Sequence, residues 1–137
     1  MPYRIEYYAF GDGDRQPAEE FEDAIERRSP RLLGKLHRIA HLVAQALPDT
    51  VGGGFLEKCR DYPDLYEIRT IYSNQLARYI VGKDGLADPP RLVLLTGLLK
   101  RPGEVTPKAE LDRAAVYWRD YMRRRRVSPE EMDEGAE

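Results

Sequence analysis

Arg69 and Arg78 are the residues whose types and spacing most directly imply chemistry. If the segment around them turns at Ser73-Asn74, Arg69 falls directly opposite Arg78. The same register sets Ile68 against Tyr79, Tyr66 against Val81 and Thr70 against Ala77 on the other face. Like charges directly opposite one another destabilise a strand pair unless something negative lies between them. A phosphate satisfies both guanidiniums, because each planar fork can donate two hydrogen bonds to it. The alternative is a neighbouring acid, such as Glu67 or Asp61, that neutralises the pair. Further cations stand close in sequence: Lys58 and Arg60 in Glu57-Lys58-Cys59-Arg60, and Lys100-Arg101 after an apolar run. Taken singly, each is what the surface end of a strand ordinarily carries. The run Arg123 to Arg126 fits either of two roles, gripping RNA phosphates or stabilising the negative C-terminal end of a helix.

Other motifs say less. His37 and His41 are four residues apart, a metal-compatible spacing, but they lack both an HExxH pattern and a nearby third ligand. Asp12, Asp14 and Glu19 suggest a calcium loop without its closing glutamate, so a plain turn is expected. Gly52-Gly53-Gly54 lacks the Lys-Ser/Thr that completes a phosphate loop. No metal or cofactor is expected. Ser128-Pro129-Glu130-Glu131 fits a capping box for a short acidic helix.

The elements that must position these groups follow from periodicity. Tyr3 to Phe10 alternates polar and apolar residues and is rich in β-formers, predicting a strand, and Gly11 to Asp14 reads as a turn. Pro17 begins a helix with Phe21, Ala24 and Ile25 on one face. Ser29-Pro30 supplies an N-cap and a first-turn proline for a second helix. Its stripe is Leu32, Leu36, Ile39 and Val43, and a loop spans Pro48 to Gly54. Strands are predicted at Phe55–Cys59, Leu65–Tyr72, Gln75–Val81 and Leu92–Leu99. The last lacks alternation, as a strand buried on both faces should. Thr106-Pro107 opens a final helix with Leu111, Ala114, Trp118 and Met122 on its apolar side. The order is β-α-α-β-β-β-β-α. It predicts an α+β fold of two layers, with helices against a twisted, mostly antiparallel sheet.

With 137 residues the chain suits one domain, taken as 1–126, followed by an acidic segment, 127–137. Cys59 is the one cysteine, which suits a reducing compartment. No apolar run approaches the roughly 20 residues of a membrane helix, and the N-terminus lacks the pattern of a signal peptide. A cytoplasmic location without a membrane partner is therefore expected. The formal charge is −2, yet its distribution is uneven. Residues 1–50 hold 7 basic and 9 acidic groups, residues 51–126 hold 15 and 10, and residues 127–137 hold none and 5. The +5 stretch is the cue for a polyanionic partner; a solvated surface with a solubilising tail is the bland alternative.

The stretches FLEKCRDYPDLYEIR, QLARYIV and RLVLLTGLLKRPGEVTPKAELDRA resemble phage-derived HigB-like toxins of the RelE/ParE superfamily, over roughly residues 55–115. The resemblance implies a RelE-like fold and the toxin half of a type II toxin–antitoxin pair. Its activity would be ribosome-dependent, metal-independent endonucleolytic cleavage of mRNA. The implied partners are mRNA, the ribosome and a cognate antitoxin with a helix-turn-helix DNA-binding domain. By the same resemblance Lys58, Arg69, Arg78 and Lys100 take the catalytic positions, and Arg60, Arg101, Arg123 and Arg124 contact RNA. Arg69 and Arg78 would hold the scissile phosphate, with Lys58 or Lys100 transferring protons or binding backbone. Thr96 stands where many members have His and Leu98 where many have Phe, while Glu57 and Cys59 replace the usual Lys and Leu. Without that His, Tyr66 or Tyr121 is an alternative base, although both also suit the core. Two other outcomes stay open: a ParE-like gyrase poison without chemistry of its own, and an inactive prophage remnant that still binds antitoxin.

Overall fold

The computed structural model describes residues 2–11, 15–47, 55–101 and 103–126. Its elements are β1 (Arg4–Tyr7), α1 (Pro17–Arg28), α2 (Pro30–Ala46), β2 (Leu56–Lys58), β3 (Tyr66–Tyr72), β4 (Gln75–Asp84), β5 (Arg91–Lys100) and α3 (Lys108–Arg126). Asp12, Asp14, Gly52 to Gly54, Ser128 to Glu131 and the rest of the acidic segment lie outside the described residues. The five strands form one sheet in the order β1-β5-β4-β3-β2. All neighbours pair antiparallel except β1 and β5, which are parallel. Parallel neighbours need a long connection between them, and here it runs through α1, α2 and the β2–β4 meander.

Local sequence accounts for the element ends. Ser73 and Asn74 adopt φ of 52° and 62°, the left-handed pair of a type I′ turn whose twist matches that of the flanking strands. The resulting register sets Arg69 opposite Arg78, Ile68 opposite Tyr79 and Tyr66 opposite Val81, as the sequence implies. Ser29 caps α2, its hydroxyl accepting from the Leu32 N–H at 3.3 Å, and Pro30 fills the first turn.

The layering differs from the two layers that periodicity suggests. Helices α1 and α2 cover one face of the sheet, burying Leu32, Leu36, Val43, Ile68, Tyr79 and Leu92 together. Helix α3 covers the other, where Trp118 and Tyr121 pack with Ile80, Val93 and Leu95. The reason is in β4 and β5, which carry apolar side chains on both faces and would leave one exposed in a two-layer arrangement. Two glycines seat the covering helices. A Cβ on Gly97 would overlap the Phe21 ring of α1, and one on Gly82 would overlap the Trp118 indole of α3. A register shift between Ile80 and Val81 places Thr96 opposite Ile80 but Leu94 opposite Val81, a bulge in β5. No helix among the described residues is long and apolar enough to cross a membrane.

Candidate nucleic-acid interface

The β2–β3 register pairs Glu57 with Glu67, and the β3–β4 register pairs Arg69 with Arg78. Side chains alternate along strands, so all four charges share the α3 face of the sheet. The two arginines resolve their mutual repulsion differently. Arg69, 36% exposed at its side chain, donates from Nη2 to Glu57 Oε1. Arg78 is only 5% exposed and donates from Nη1 to Glu67 Oε1 at 3.3 Å and to Thr106 Oγ1, and from Nη2 to the Glu104 carbonyl at 2.9 Å. The Thr106 hydroxyl in turn donates to Glu67. Arg78 therefore ties the connection between β5 and α3 onto the sheet. Its Nε is buried without a hydrogen-bond partner among the described residues.

Above these groups lies a cleft of about 400 Å³, bordered by Lys58, Arg60, Arg69, Arg78, Thr106 and Leu111. Lys58 is exposed at the end of β2 and sits opposite Tyr66, which places its Cβ on the α1–α2 side, so it borders the cleft from its rim. Arg60 is exposed beyond that strand. Lys100 sits opposite Leu76 on the same face as Arg78, with Nζ 3.9 Å from Glu104. With Arg101 it lines a neighbouring depression of about 360 Å³, and Glu104 borders both. The six cations thus spread along the length of β3, from Lys58 level with Tyr66 to Lys100 level with Ile71 and Leu76, in two adjoining hollows. Cys59 lies buried at the cleft wall, where desolvation, reinforced by the Glu67 charge, pushes its thiol up to about 12.

The remaining candidates fall elsewhere. Thr96 is buried opposite Ile80 and does not border the cleft. Tyr66 packs on the α1–α2 side with Lys83 over its ring at 4.2 Å, and Tyr121 is buried with its hydroxyl donating to Asp84 at 2.8 Å. Tyr121 is a core residue, and Tyr66 is a partly buried one packed against the core. Arg123 and Arg124 lie near the far end of α3. Arg123 is 76% exposed and pairs with Asp120 at 2.5 Å. Arg124 donates to the carbonyls of Ala9 at 2.8 Å and Gly11 at 3.0 Å, pinning the chain after β1 to α3. Burial alone would raise the Asp120 carboxyl, but hydrogen bonds from Tyr8 and Arg123 and the charges of Arg124 and Arg123 outweigh it and hold the carboxyl below its ordinary value.

His37, weighed as a metal ligand, instead lies with Nε2 2.8 Å from Glu22 Oε2. The same oxygen accepts from Tyr7 Oη at 2.5 Å and from Tyr79 Oη. Among the described residues no group of three His, Cys, Asp or Glu side chains is placed to hold a metal ion. Sequence reasoning misses Glu57 and the Glu104–Thr106 connection as partners of the arginines. Glu57 becomes visible only once the β2–β3 register is known, since nothing in its immediate sequence sets it beside Arg69. The chain matches no protein-family model, no curated protein and no solved structure. What the geometry itself offers is a shallow, cation-rimmed cleft whose Arg69 can exchange an exposed carboxylate for a phosphate.

Proposed function

We propose that this chain is the toxin of a type II toxin–antitoxin pair and cleaves mRNA on the ribosome. The observation that carries the reading is the cluster of Lys58, Arg60 and Arg69 around the cleft, with Lys100 and Arg101 in the adjoining hollow. The two hollows together offer these cations to a phosphate backbone, and the cations occupy the positions that the family resemblance assigns to the site. In the proposed reaction the ribose 2′-oxygen attacks its own phosphorus and the bond to the 5′-oxygen breaks. A base takes the 2′-hydroxyl proton and an acid returns one to the leaving oxygen. Arg69 stabilises the charge that develops on the phosphorane, where fixed donors contribute most. Arg78, enclosed by Glu67, Thr106 and Glu104, acts as a positioning residue that holds the cleft wall. Lys58 and Lys100 are the candidates for proton transfer or backbone binding.

The test is expression with and without the adjacent reading frame, combined with mapping of mRNA ends on translating ribosomes. Growth arrest with cleaved mRNA, lost in Arg69→Ala and relieved by a neighbouring helix-turn-helix protein, supports the reading. DNA damage with intact mRNA transfers the chain to the gyrase-poison class. Absence of any arrest identifies an inactive remnant.

A further inference from the structure

A second surface, away from the cleft, has the composition of a nucleic-acid contact. The rings of Tyr8, Tyr117 and Phe10 form a cluster of three near-parallel rings, with Tyr8 and Phe10 also in contact at 6.4 Å and 19°. Tyr8 and Tyr117 lie 4.9 Å apart at 27°, and Phe10 and Tyr117 lie 5.6 Å apart at 11°. Tyr8 is anchored from below, its hydroxyl donating to Asp120 at 2.6 Å. Phe10 and Tyr117 remain half-exposed, and Val116 beside them is 52% exposed. The Arg15 guanidinium lies 5.4 Å above the Phe10 ring, held otherwise by a loose 3.7 Å contact with the exposed Glu20. Together with Arg119 and Arg123 the rings line a groove of about 500 Å³. Arg119 is exposed and has no ion pair among the described residues. Arg124 fixes the arrangement by holding the Ala9 and Gly11 carbonyls on either side of Phe10.

We infer that this groove binds single-stranded RNA, with a base stacking against the Phe10–Tyr117 ring pair and Arg15, Arg119 and Arg123 neutralising its phosphates. Two observations support that occupant over an acidic protein. The near-parallel, half-buried rings of Phe10 and Tyr117 offer a π-face that every base can use. The arginines come from two separate segments, Arg15 over the Phe10 ring and Arg119 with Arg123 on α3, as a strand with a phosphate at each nucleotide requires. The volume lies within the roughly 300–1,000 Å³ of pockets that take small ligands. The choice of RNA rests on the function proposed above, but the groove does not share a residue with the cleft. The two can therefore fail separately.

The test uses the full chain and a short single-stranded RNA carrying 2-aminopurine, whose emission reports stacking. Expected are a saturable emission change and a Kd raised at least about fivefold by Phe10→Leu. Arg119→Ala or Arg123→Ala should each reduce the salt slope by roughly 0.7, the share of one neutralised phosphate on a single strand. Phe10→Leu keeps the apolar packing, and a thermal melt confirms that each variant folds. Binding abolished by Arg60→Ala with Arg69→Ala, yet untouched by Phe10→Leu and Arg119→Ala, overturns the groove and leaves the cleft intact. Weaker binding by the arginine variants with no emission change overturns stacking. Equal affinity for duplex RNA, or a preference for an acidic peptide, overturns the ligand class.

Discussion

Arg69 and Arg78 stand opposite each other in the hairpin yet differ in what surrounds them, and the difference sets what each can do. Removing a partner from a buried, hydrogen-bonded charge pair leaves the other charge uncompensated, at a cost of about 3–5 kcal/mol. Arg78→Ala leaves the Glu67 carboxylate without its countercharge, held by the Thr106 hydroxyl alone, and the Glu104 carbonyl without its side-chain donor, so a loss of that order is expected in urea unfolding. Arg69→Ala breaks a pair that is more than a third exposed and should change stability by less than about 1 kcal/mol. Only Arg69 is therefore a clean probe of activity. Comparable losses in the two variants would show that Arg69 is as enclosed as its neighbour. A second residue-scale expectation concerns alkali. Burial raises the Cys59 thiol and the Tyr8, Tyr79 and Tyr121 hydroxyls above their ordinary values, with carboxylate partners adding to the effect. Between the ordinary pKa of these groups and their raised native values, the unfolded chain binds fewer protons than the native one. Stability should hold near neutrality and fall once pH passes about 9, where unfolded thiols and phenols begin to ionise. An unfolding midpoint that stays constant from about pH 8 to about pH 11 would contradict this assignment.

At the scale of elements, the sheet depends on two close approaches that leave no room for a side chain. Gly97 receives Phe21 of α1 and Gly82 receives Trp118 of α3, from opposite faces. Gly97→Ala or Gly82→Ala should each cost about 1–3 kcal/mol, the usual penalty for overpacking a filled core, and urea midpoints measure it. Because the helices cover different faces, Gly82→Ala should also displace α3 and disturb the cleft, whereas Gly97→Ala should leave RNA binding unchanged. These seats illustrate what a sequence can and cannot reveal. The strand order along the chain, the Ser73-Asn74 turn, the Ser29 cap and the Arg69–Arg78 pairing all rest on local rules of period and turn chemistry, and they are legible in the residues. The pairing of β1 beside β5, the position of α3 on the second face and the meeting of Glu57 with Arg69 depend on contacts distant in sequence. Periodicity specifies which face of a strand is apolar, but not which element will cover it. The Glu22 cluster is hidden for the same reason, since Tyr7, His37 and Tyr79 reach one carboxylate oxygen from three different elements.

Over the whole molecule, a formal charge of −2 conceals two opposed regions. Residues 51–126 carry the excess of basic groups, and both the cleft and most of the α3 groove are built from them. Residues 127–137 carry five acidic groups and no basic ones, so removing them changes the formal charge from −2 to +3. The field a polyanion meets on approach is the sum of these regions within a Debye length, about 10 Å at 0.1 M salt and about 3 Å at 1 M. A truncated chain ending at Arg126 should therefore bind single-stranded RNA several-fold more tightly than the full chain at low salt. The advantage should shrink steadily as salt is added, because the acidic segment competes through the same screened interaction that draws the RNA in. Titrations of both chains against one labelled oligonucleotide, across a series of salt concentrations, measure this directly. Two parallel lines on a plot of log Kd against log salt would mean that the segment acts other than by charge. Coincident lines would mean that it does not act on RNA at all, and that the cationic surfaces already meet their partner unopposed.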